Sequence, residues 1–121
     1  MAKQEGSPRV LVSWGELVDK VTILEIKIAR IKSEAAVANC KNELAELLVQ
    51  FGANEKSSHS DSLALKHALA GVNAELWEIE DSIRRLEYSG DFGPVFVQTA
   101  RRVYALNDRR SAIKREINVY F

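Results

Sequence analysis

Two pairs of carboxylates stand three residues apart in this chain, Glu43 with Glu46 and Glu78 with Asp81. Acidic side chains at that spacing share one face of a helix. Two such pairs on facing helices could hold Mg²⁺ through hard oxygen ligands and set water against a phosphoanhydride. Their surroundings argue against it. Leu76 and Ile79 belong to an apolar stripe, which turns Asp81 to the opposite side of its helix, and solvated helices commonly carry acidic pairs at this spacing. Cys40, His59 and His67 are softer ligands, but no two of them stand at a metal-binding spacing such as C-x-x-C or H-x-x-x-H. No metal and no cofactor are expected. The basic residues cluster as Arg101-Arg102, Arg109-Arg110 and Lys114-Arg115. A nucleic-acid track needs an exposed positive patch. Here the acidic stretch from Asp61 to Glu87 is the expected neighbour, and 17 basic residues balance 17 acidic ones. Ion pairing inside the protein is the favoured reading, with no nucleic-acid partner.

The elements that position these groups follow from hydrophobic spacing. Apolar residues recur at alternating steps of three and four, beginning with Trp14, Leu17, Val21, Leu24, Ile28 and Ile31. Val37, Cys40, Leu44, Leu47 and Phe51 form a second stripe. Leu65, Leu69, Val72, Leu76, Ile79, Ile83 and Leu86 form a third, and Phe96, Val103, Leu106, Ile113, Ile117 and Tyr120 a fourth. This period belongs to amphipathic helices. It predicts an all-α, antiparallel four-helix bundle with coiled-coil-like heptad packing and a long hairpin of the third and fourth helices. Ser13 and Glu16 make a capping box, and Val12 with Leu17 a hydrophobic staple, so the first helix starts at Ser13. The second stripe is two residues out of phase with the first, about 200° around a helix. A turn near Lys32–Ala35 with Ser33 as N-cap resolves the slip. Gly52 closes the second helix, and ANEKSSHS is a polar loop. The third helix runs from Ser60 or Asp61 to Gly90, with Gly71 inside it. Gly93-Pro94 opens the fourth, which runs nearly to Phe121. Residues 1–9 read as a mobile polar tail and 10–121 as one helical domain. The single cysteine suits a reducing compartment. No apolar run approaches the roughly 20 residues of a membrane span. The chain reads as a cytoplasmic protein that makes no membrane contact.

One charge falls where an aliphatic residue belongs. Arg110 occupies the core position between Leu106 and Ile113. A guanidinium there needs a carboxylate, because an unpaired buried charge costs several kcal/mol. If all helices start at one level, Glu25 faces Arg110, with Asp19 the second choice, and Gly71 beside Val72 makes room. Such a buried polar pair would pin the register. Ile23 and Ile26 lie off the first stripe, and Trp77 and Tyr104 off the third and fourth. They mark a second interface, for a second copy or a helical partner.

Two strings are distinctive together: Gly15-Glu16-Leu17-Val18-Asp19-Lys20-Val21-Thr22-Ile23-Leu24-Glu25-Ile26-Lys27, and Asn107-Asp108-Arg109-Arg110-Ser111-Ala112-Ile113-Lys114-Arg115-Glu116-Ile117-Asn118. Leu76-Trp77-Glu78-Ile79-Glu80-Asp81-Ser82-Ile83-Arg84 lies between them. Over about residues 10–120 the chain resembles a small bacterial family of unknown function with a GEL-DK-TILEIK opening and an NDRR-IKREIN ending. The resemblance implies a turn at Ser33-Glu34, where that family has Asp-Pro, and implies no activity. The reading that results is a helical interaction or assembly module, a homodimer without catalysis. The alternative is a small metal-dependent nucleotide pyrophosphohydrolase of the MazG type, using Glu43, Glu46, Glu78 and Asp81.

Overall fold

Helix formation begins where the sequence provides a cap. The Ser13 hydroxyl accepts the Glu16 N–H at 3.1 Å, satisfying one of the donors that a helix start leaves free. The structure, a computed structural model, describes residues 8–121. The expected tail, residues 1–9, therefore falls mostly outside the described residues. Among these, the chain forms four α-helices, α1 (Trp14–Arg30), α2 (Glu34–Gly52), α3 (Ser60–Tyr88) and α4 (Pro94–Tyr120), with one 3₁₀ turn at Glu55–Ser58 and no strand. No helix among them is long and apolar enough to cross a membrane.

The breaks have local causes. Ser33 caps α2 by accepting the Ala36 N–H at 3.3 Å, so the phase slip is relieved by a turn. Gly52, expected just beyond α2, is instead its last residue, and Ala53 keeps a right-handed conformation. The chain runs on into the 3₁₀ turn and needs no left-handed residue there. The left-handed glycine is Gly90, at φ 73°. Around it the Asp91 N–H reaches the Leu86 carbonyl at 2.9 Å and the Gly90 N–H the Glu87 carbonyl at 3.0 Å, the two bonds of a Schellman stop. Pro94 then opens α4 at its first turn.

The core lies between α1, α3 and α4. Leu17 and Val18 meet Leu69, Val72 and Leu76 from α3 and Leu106, Ile113 and Ile117 from α4. Each such side chain, fully buried, contributes about 2 kcal/mol. At the base, Trp14 stacks on Phe121 with ring centres 5.0 Å apart, and Phe51 meets Phe121 edge-on at 6.0 Å. The fourth helix sits to one side. No Cα of α2 comes within 8 Å of one in α3 or α4, and Phe51 is its only buried residue. The helices thus form a three-helix core with α2 laid along α1. At the other end α1 stops at Arg30, whose guanidinium meets Glu78. The last ten residues of α3 and the first turns of α4 run on past it, about 15 Å of paired helix.

Candidate functional site

The four-residue spacing of Arg110, Lys114 and Asn118 puts all three on one face of α4. That face meets the first turns of α1. The Gly15 N–H, another donor left free by the helix start, donates to Asn118 Oδ1 at 2.7 Å. Lys114 Nζ donates to Glu16 Oε2 at 2.7 Å and reaches Asp19 Oδ2 at 3.5 Å. Arg110 forks onto the Asp19 carboxylate, with Nε on Oδ1 at 3.0 Å and Nη2 on Oδ2. From α3, Asn73 Nδ2 donates to Asp19 Oδ1 and to Thr22 Oγ1, each at 2.9 Å. The Thr22 hydroxyl donates in turn to the Asp19 carbonyl at 2.8 Å.

Close approach of α1 to α4 needs a residue without a side chain. A Cβ on Gly15 would run into the Lys114 carbonyl oxygen and lie 2.9 Å from Asn118 Oδ1. Asp19 is only 1% exposed, and removal from water alone would push its carboxyl up. The hydrogen bonds from Arg110 and Asn73 and the charges of Arg110 and Lys114 outweigh that, so it titrates below the ordinary carboxylate range. Its hydrogen bond to Asp19 raises the Arg110 guanidinium in turn. Two cations face two carboxylates, so the cluster is neutral. A carboxylate held ionised by two cations is a weak base, and every oxygen of Asp19 already has a donor. The arrangement is built to hold three helices in register.

The expected partner of Arg110, Glu25, is not the one found. Glu25 pairs with Lys66 at 3.5 Å, and Asp19 takes the guanidinium. The helices do not start at one level: Thr22, eight residues past Trp14, meets Asn73, thirteen past Ser60. That offset of five residues moves α1 about 7.5 Å along α3. Gly71 does not make room for Arg110 either. It is exposed, and nothing lies within 4 Å of where its Cβ would be. Lys114, Asn118, Asn73 and Thr22 were missed. The four-residue step from Arg110 to Lys114 to Asn118 was the available signal for two of them.

The other candidates are dispersed. Glu43 and Glu46 are exposed on α2, which does not approach α3. Glu78 is bound to Arg30 and Asp81 to Arg84. His59 Nδ1 lies 3.1 Å from the Tyr120 hydroxyl, while His67 is exposed and Cys40 half-buried. Among the described residues no three His, Cys, Asp or Glu side chains converge on a possible metal position. Of the basic clusters, Arg102 pairs with Glu75 at 2.6 Å, the one ion pair found between α3 and α4 among the described residues. Ile23, Ile26 and Trp77 are half-buried within the chain. Ile26 and Trp77 stand one turn above the Thr22–Asn73 contact on their helices. Tyr104 is 76% exposed.

Fold and cluster define an all-α protein whose first and last helices are joined by a partly buried ion-pair network around Asp19. The chain belongs to DUF6165, a family of unknown function whose model matches residues 8–120, a span that holds every residue of the network. No curated protein matches the chain, and no solved structure does.

Proposed function

We propose that this protein is a helical interaction module that acts by protein–protein contact, without catalysis, and self-associates as a dimer. One observation carries the reading: apolar side chains are exposed where the α3–α4 hairpin runs past the end of α1. Tyr88 is 96% exposed, Val95 61% and Phe92 57%. Monomeric proteins seldom leave such a group together on the surface without a partner. Glu43 and Glu46 are exposed on α2, while on α3 Glu78 is held by Arg30 and Asp81 by Arg84, so these four do not come together as the alternative reading would need. The lone cysteine fits a cytoplasmic setting, and the sequence strings a bacterial one.

Sedimentation equilibrium over a dilution series tests this. A mass that rises from one chain to two with concentration is the expected result. A single-chain mass up to about 1 mM, weaker than any specific interface of ordinary size, would count against it.

A further inference from the structure

We infer that α2 opens from the bundle as a separate unit while α1, α3 and α4 stay folded, so that it is a cover over one apolar face of α1. The inference does not depend on the assembly reading above. It follows from what holds each helix. Ion pairs join α1 to α3, through Glu25 with Lys66 and Arg30 with Glu78, and to α4, through Asp19 with Arg110 and Glu16 with Lys114. No ion pair among the described residues reaches α2. Its stripe of Val37, Cys40, Leu44 and Leu47 is half-buried throughout, and α1 is the one α-helix with Cα atoms within 8 Å of its own.

What α2 covers can be read from α1. Leu24 stands about 200° around the helix from Thr22 and about 140° from Asp19. Thr22 meets Asn73 of α3, and Asp19 meets Arg110 of α4. Leu24 points away from both contacts and is still only 5% exposed, because α2 lies over it. Ile28, one turn further on, shares that side and is half-buried. Opening of α2 bares this row and leaves the Asp19 cluster intact.

The ends of the segment permit it. At the base Phe51 is buried, edge-on to Phe121, with Lys66 Nζ 5.9 Å from its ring centre. At the other end residues 31–33 lead out of α1, with extended backbone at Ile31 and Ser33. Between these points residues 34–50 span about 25 Å as helix and up to about 55 Å when extended. The segment can therefore leave α1 without pulling on either end. A helix of this length draws most of its stability from the face it packs, and regions with few buried apolar contacts open first.

Native-state hydrogen exchange of the full chain, resolved by residue, tests this. Amides of 38–50 are expected to exchange at least about 100-fold faster than the slowest amides of α1, α3 and α4. Gly15→Ala should speed those slowest amides about thirtyfold and leave α2 within about twofold, because the contact of Gly15 with α4 persists when α2 is open. Leu44→Ala should speed α2 about fivefold. If Gly15→Ala does not fold, Asn118→Ala, which removes the acceptor of the Gly15 N–H, takes its place with an effect of about fivefold. Amides of α2 that are as slow as the slowest elsewhere overturn the inference, since α2 then opens only with the whole domain. So does an α2 that Gly15→Ala or Asn118→Ala speeds as much as the rest. An α2 that exchanges fast but does not respond to Leu44→Ala overturns it as well, because that exchange does not pass through loss of the stripe contact.

Discussion

Helices α1 and α2 are neighbours of nearly equal length, 17 and 19 residues, and the molecule treats them in opposite ways. α1 buries Leu17, Val18, Asp19, Val21, Thr22 and Leu24 and touches every other helix. α2 buries only Phe51. Both carry an apolar stripe, so the stripe is not what separates them. The difference is in the polar residues. α1 carries small and chargeable groups, Gly15, Asp19 and Thr22, on the side away from its stripe, and each has a partner on α3 or α4. α2 presents Glu43 and Glu46 to water. A helix enters the centre of a small domain when both its apolar and its polar faces can be satisfied there. Otherwise it lies on the outside along its one apolar edge.

The contrast breaks most visibly at Asp19. Asp19→Ala leaves Arg110 half-buried without its carboxylate, and a loss of about 3–5 kcal/mol is expected by urea unfolding. The Asp19 carboxyl titrates below its unfolded value. Its contribution is thus complete above the ordinary carboxylate range and is lost as pH falls through the lowered folded value. Asp19→Asn should flatten the acid side of the stability curve, measured as urea midpoint against pH. An unchanged acid slope would show that other carboxylates govern it.

Leucines at the two helices sharpen the comparison. Leu24→Ala, from a 5% exposed position, should cost about 3 kcal/mol. Leu44→Ala, from a half-buried one, should cost about 1 kcal/mol. Equal losses would mean that α2 is as much a part of the core as α1. Gly15→Ala forces α4 back from α1, and a loss of about 2 kcal/mol is expected from thermal or urea melts. The smallest effect has the opposite sign. Gly71→Ala adds a methyl into open space in mid-helix and should stabilise by about 0.5–1 kcal/mol. Destabilisation there would mean that the outer face of α3 is covered in solution.

Most of the secondary structure was legible because its causes are local. Ser13 and Ser33 fix helix starts with their own side chains, Gly90 takes a conformation that other residues avoid, and Pro94 lacks a donor that its position does not need. The apolar stripes predicted the core: Leu69, Val72, Leu76, Leu106, Ile113 and Ile117 are all buried. The polar site was legible only in part. Arg110 announced itself as a charge in a core position, which demands a partner wherever the chain places one. Lys114 and Asn118 showed only their four-residue step from Arg110, which demands no partner, because a polar residue beside a stripe is ordinary until something packs against it.

By itself the sequence determined where helices begin and end, which face of each is apolar, and that one guanidinium must find a carboxylate. Those depend on interactions within a few residues along the chain. Which carboxylate, and which helix lies outside, were decided by tertiary structure. Asp19 and Glu25 are carboxylates six residues apart on one helix. They stand about 9 Å apart along the helix and a third of a turn apart around it, so the height and rotation of α1 in the bundle give Asp19 to Arg110 and Glu25 to Lys66. The placement of α1 against α4 is set where Gly15 closes on Lys114 and Trp14 stacks on Phe121. Trp14 and Phe121 stand more than a hundred positions apart in the chain, and their packing is not written in any local pattern.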